Sequence, residues 1–113
     1  MTEARLKTRI LVQAALRVCD RLAIPMVIAR RGDEEAGTVL IKLNQRGGRF
    51  TVMTQARTPE GELGWFKGTG TAPVDEPAAD AYIARQVARD PDLWVVEIED
   101  PEGRQIFAGK VLP

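Results

Sequence analysis

Over residues 2 to 22 the apolar positions of the chain recur with a helical period. At about 100° per residue, Ala4, Leu11, Val12, Ala15, Val18, Cys19 and Leu22 fall within one broad sector. No Gly or Pro interrupts the stretch, which is rich in Ala, Leu and Arg, so it predicts a helix from Thr2 to about Leu22 with that sector on the core. Arg5, Arg9, Gln13, Arg17 and Arg21 recur at every fourth position and wind along the opposite side. Leu6 and Ile10 lie among those arginines, the one departure from the pattern.

Beyond Pro25 the period changes. "MVIARRG" and "GTVLIKLN" predict two short strands separated by the turn-rich "RGDEEAG", most simply as a hairpin. "RFTVMTQAR" predicts a third strand, reached through "NQRGG", whose Gly47 and Gly48 supply the positive φ of a tight turn. After the turn "TPEGEL" comes a short fourth strand, "GWFKG". A loop, "TGTAPVDEP", leads to a second helix capped by Asp75 or Glu76, with Pro77 in its first turn, running to about Arg89. Asp90 precedes Pro91, which disfavours continuing that helix. The next strand starts at Leu93 or Trp94, and "DPEGR" turns into a last one, "QIFAGKV".

The order α-β-β-β-β-α-β-β, with short turns between strands, predicts an α+β domain spanning 1–113. It consists of an antiparallel sheet of about five to six strands with two helices on one face. A length of 113 residues, 44% hydrophobic and 28% charged, suits one compact domain. No apolar run approaches the roughly 20 residues of a spanning helix, and the opening stretch lacks the apolar core of a signal peptide. A cytoplasmic protein without a membrane role is the expectation.

Composition narrows the chemistry. There is no histidine and no serine, which removes the Ser/His/Asp triad, the Cys/His pair and the His-ligated zinc site. The single cysteine, Cys19, sits in "ALRVCDRL" and reads as a buried small hydrophobe. Charge cancels overall, yet residues 1–57 hold 11 basic and 5 acidic side chains and residues 58–113 hold 5 and 11. Either the two halves neutralise one another on folding, the reading favoured here, or the first presents a basic surface to an anionic partner.

Several constellations are candidates for function. Within "LWVVEIE", Trp94, Val96 and Ile98 share one face of the strand, while Glu97 and Glu99 project from the other beside Val95. The carboxylate pair could serve acid–base work or a divalent ion; cross-strand pairing with Arg30, Arg31 or Lys42 is the simpler expectation. "KGTGTAP" resembles a phosphate loop only weakly, because it lacks the Gly-Lys-Ser/Thr ending and leads to acidic Asp75 and Glu76. Trp65 and Phe66 alternate on their strand, so one of them turns away from the core, which makes Trp65 a candidate surface aromatic. With Leu6, Ile10, Arg5, Arg9 and Arg17 it would form a contact surface.

The segments "RRGDEEAGTVLIKLN" and "PDLWVVEIEDPEGR", behind a basic first helix, resemble the domain of unknown function 1491 family of short bacterial proteins. The resemblance covers nearly the whole chain and is most specific in the second segment. It implies a stand-alone protein type and carries no activity. The leading expectation is therefore a non-catalytic protein–protein interaction module, with a homodimer as one form of it. The alternative is an anion or nucleic-acid binding accessory protein using the arginine face, and a carboxylate-dependent enzyme ranks third. No motif names a cofactor or a metal.

Overall fold

The computed structural model describes residues 7–112. Helix α1, Thr8–Arg21, buries Thr8, Val12, Ala15 and Cys19. These positions recur every three or four residues, as a single apolar stripe requires. Its first turn lacks a side-chain cap of its own. The loop 31–38 supplies one instead: the Glu35 and Glu34 carbonyls accept from the Thr8 and Arg9 N–H groups at 3.2 and 2.9 Å, and the Thr8 hydroxyl donates to the Gly37 carbonyl at 2.7 Å. At the far end Ile24 N–H donates to Cys19 O and Ala23 N–H to Asp20 O, a Schellman closure with Ala23 in the left-handed region at φ 55°. Leu22, expected on the core, falls at this C-cap and is 47% exposed, because the helix has already ended.

Strands β1 (Met26–Arg30), β2 (Val39–Asn44), β3 (Phe50–Arg57) and β4 (Leu63–Lys67) precede α2 (Glu76–Arg89), which β5 (Trp94–Glu99) and the two-residue β6 (Lys110–Val111) follow. Asp75 caps α2, its carboxylate accepting from Ala78 N–H at 2.9 Å, with proline in the first turn. The α+β class and the order of elements are those the patterns predict. The sheet runs β1-β5-β2-β3-β4-β6. The β2–β3 and β3–β4 hairpins form as the glycine turns require, but β1 and β2 do not pair. Strand β5 lies between them, antiparallel to β1 and parallel to β2. Trp94, Val95, Val96 and Ile98 are all buried, so β5 is apolar on both faces and belongs at the centre of the sheet, displacing the local hairpin. Of the last predicted strand only Lys110–Val111 forms, parallel to β4 at the opposite edge.

The helices occupy opposite faces of the sheet, a correction to their expected placement on one. Val12, Ala15 and Cys19 of α1 pack with Val39, Ile41, Trp94, Val96 and Ile98. Ala79, Tyr82, Ile83 and Val87 of α2 pack with Leu40, Val52, Phe50 and Val95. Alternate residues of β2 and β5 thus feed two cores, and each core needs its own cover. Helix α1 shares its face with the segment 102–107, whose Ile106 and Phe107 join the same cluster.

Candidate functional site

Glu97 and Glu99 share the α2 face of β5, and each meets a separate cation. Lys42, opposite Glu97 in the register, has its ammonium 3.7 Å from the Glu97 carboxylate. The same ammonium lies 2.7 Å from Glu76 and 2.8 Å from Asp80, both on α2, and 5.2 Å from the centroid of the Phe50 ring. Glu99 pairs with Arg46 at 3.0 Å. Of the three basic partners expected for this pair, only Lys42 takes the role. Arg30 donates instead to the Pro91 carbonyl, and Arg31 sits 5.5 Å above the Trp94 ring and 3.8 Å from Glu34.

Lys42 is buried. Burial acts to lower its pKa, but hydrogen bonds to Asp80 and Glu76 and the field of Glu97 outweigh it and hold the ammonium above the ordinary lysine value. A lysine so protonated is a clasp between α2 and the sheet, and a poor nucleophile. The basic and acidic halves of the chain meet here.

On the opposite face, the turn "DPEGR" that follows Glu97 and Glu99 is centred on Asp100. The Asp100 side chain is fully buried and accepts from Glu102 N–H and Arg104 N–H at 3.0 and 2.9 Å, and from the Arg104 guanidinium at 3.1 Å. Burial pushes its carboxyl upward, yet the Arg104 side chain and the two backbone N–H groups more than compensate and hold it below the usual carboxylate range. Nearby Cys19 is buried, and desolvation followed by the Asp100 charge raises its thiol, the inert setting the sequence suggested.

The turn around Asp100 folds the segment 102–107 back over the sheet and leaves a cavity of about 420 Å³. Ile41, Leu43, Met53, Ile98 and Trp65 form its floor and Phe107 part of its roof, with the Trp65 and Phe107 ring centroids 5.2 Å apart. Lys67, Thr71 and Pro73, all from "KGTGTAP", form one wall. That stretch folds as a cavity wall, not as a turn opening directly into a helix: Gly68 N–H donates to Val52 O, and the Thr69 hydroxyl accepts from Val52 N–H.

The expected contact surface is not assembled as predicted. Trp65 is only 2% exposed, its indole N–H donating to the Ala108 carbonyl at 2.9 Å; Phe66, on the other face, is the one that turns outward. Arg5 and Leu6 lie outside the described residues. Ile10 is 41% exposed, Arg9 is half-buried and Arg17 is exposed on α1. No group of three or more His, Cys, Asp or Glu side chains among the described residues is placed to hold a metal ion. None of the described helices is long and apolar enough to cross a membrane.

The family model described as protein of unknown function DUF1491 matches residues 6–108. The chain belongs to the DUF1491 family. A crystal structure of a DUF1491 family protein from Caulobacter crescentus CB15 is similar to it with a TM-score of 0.83 at 37% identity, over 96% of this chain and all of that one. An NMR structure of a DUF1491 family protein from the same organism has the same TM-score at 35% identity, over 98% of this chain and all of that one. Protein Atu0922 from A. tumefaciens, solved in solution, reaches a TM-score of 0.80 at 25% identity, covering 97% of this chain and 98% of its own. No curated protein matches the chain. In this DUF1491 protein the cavity and Asp100 are what sequence reasoning missed. The available signal was the Asp at the head of "DPEGR", a residue whose side chain satisfies the turn that follows it.

Proposed function

We propose that this protein is a non-catalytic module that acts by contact with another protein, and that its contact surface is β1. The observation that carries this reading is the state of the sheet edge. Glu99 N–H donates to Pro25 O, and Val27 faces Glu97 in the antiparallel register. By the alternation of such a ladder, the backbone groups of Met26 and Ile28 then point away from the sheet. Val27 between them is 62% exposed. An edge whose outward backbone groups have no partner among the described residues, beside an apolar side chain, is a template for an added strand.

A second copy of the chain fits this edge. A two-fold axis through Val27 sets each Met26 opposite the other chain's Ile28 and joins the two sheets, an isologous contact. Ile10 alone represents the expected Leu6 and Ile10 patch among the described residues, so β1 is the better-supported surface. The absence of catalysis is favoured by the commitment of Lys42, Glu76, Asp80 and Glu97 to one another and by the buried thiol of Cys19.

Sedimentation equilibrium of the wild type and of Val27→Lys tests this. The expected result is a wild-type dimer and a folded monomeric variant, since Glu97 opposite Val27 tolerates an added ammonium. A monomeric wild type overturns self-association.

A further inference from the structure

We infer that the cavity between the sheet and the segment 102–107 is a binding site for a small monoanionic amphiphile, an apolar chain or ring bearing one carboxylate. At about 420 Å³ it falls within the range of roughly 300–1,000 Å³ that ligand pockets occupy. Ile41, Leu43, Met53, Ile98 and Trp65 give the sheet side of the cavity an apolar stretch, broken by Thr51, that favours a hydrocarbon body over water.

The charge of the walls fixes the other end of the ligand. Three charged side chains line the cavity: Lys67, Glu102 and Arg104. Arg104 is held by Asp100 at 3.1 Å and by Glu102 at 3.2 Å, which satisfies both carboxylates. Of the cations on neighbouring strands and turns, Lys42, Arg46 and Lys110 have acidic partners, while Arg49 and Arg57, which do not line the cavity, donate to backbone carbonyls. Lys67 has none among the described residues. One unmatched ammonium on the wall, with the Thr71 hydroxyl on the same wall, suits a single anionic group. A dianionic phosphate would find one cation where it needs two, and a cationic ligand would find Glu102 already engaged.

Polar side chains elsewhere in the lining have partners within the protein: the Thr51 hydroxyl donates to the Gln45 amide oxygen at 3.0 Å, and the Gln105 amide donates to the Phe107 carbonyl at 3.2 Å. Recognition therefore concentrates at Lys67. This site is independent of the β1 edge, and either can fail without the other.

The test is a titration of the full chain with sodium decanoate, with sodium 2-naphthoate and with decanol as the neutral control, followed in ¹H–¹⁵N spectra. The two acids separate a chain-shaped from a ring-shaped body. The two indole N–H signals are internal reporters, because Trp65 lines the cavity whereas Trp94, whose indole N–H donates to Asp33 O, does not. Saturable shifts of the Trp65 indole and of the Thr51, Met53, Lys67 and Phe107 amides, with the Trp94 indole still, are expected for at least one acid. Lys67→Met should weaken that acid about tenfold and leave decanol unchanged, its folded state being read from the same spectra. The proposal is overturned if neither acid gives saturable shifts, if the shifts centre away from the cavity, or if Lys67→Met binds the acid as tightly as wild type.

Discussion

Lys42 and Asp80 face each other across the seam between the sheet and α2, ammonium to carboxylate at 2.8 Å. They stand in the oppositely charged halves of the chain, and their contact fixes one helix over the centre of the sheet. Asp80 and Glu76 lie one helical turn apart, where two like charges repel unless a cation stands between them.

Lys42→Met should therefore destabilise the protein by about 1–2 kcal/mol. The methionine keeps the apolar stem packed, and the carboxylates of Glu76 and Asp80 remain half-exposed to water, which limits the loss. Urea unfolding of the variant checks the value. Because the Lys42 pKa is raised on folding, its contribution is complete below the ordinary lysine value of 10.5 and is lost as pH rises through the higher folded value. Wild-type stability should fall more steeply than that of the variant in that alkaline range.

Asp100 acts at the other end of the pH scale. Its carboxyl is held below the ordinary value of 3.8, so the stability it confers is present above that value and is lost as pH falls through the lower folded one. Asp100→Asn should cost about 2–3 kcal/mol at neutral pH, since it weakens the buried acceptor of two backbone N–H groups and a guanidinium. Acid titration of unfolding midpoints should show the wild type losing this advantage while the variant changes less.

Ala23 is a left-handed residue with a side chain, at the position where helices favour glycine. Ala23→Gly should stabilise the protein by up to about 1 kcal/mol, relief of the steric penalty exceeding the added freedom of the unfolded chain. A thermal melt that falls instead would show the Schellman closure to be unstrained.

Gly32 has no room for a methyl group. A Cβ there would meet the Asp92 carbonyl and lie 2.7 Å from Trp94 Cδ1. Gly32→Ala should destabilise by about 2–3 kcal/mol and disturb the Trp94 indole, whose N–H donates to Asp33 O at 2.7 Å. Near-ultraviolet circular dichroism of the variant reads both.

Period and punctuation in the chain determined the elements. The arginine and apolar stripes of α1, the Asp75 cap and proline of α2, and the glycine turn at 47 and 48 act over a few residues, so their outcome is written locally. The pairing of Glu97 with Lys42 was legible for the same reason of alternation, once a neighbouring basic strand was assumed.

Which strands lie side by side, and which face each helix covers, was decided only by the tertiary structure. A turn between β1 and β2 favours a hairpin, but the loss of a strand buried on both faces would leave Trp94, Val95, Val96 and Ile98 in water, and that larger hydrophobic term inserts β5 between them. The same term turns Trp65 inward and Phe66 outward, a choice that alternation alone leaves open. Asp100 and the cavity depend on contacts between segments far apart in the chain, from Ile41 to Val111. Local sequence encodes which residues can satisfy a turn or a strand, whereas burial is a property of the whole assembly and is settled when the two cores close.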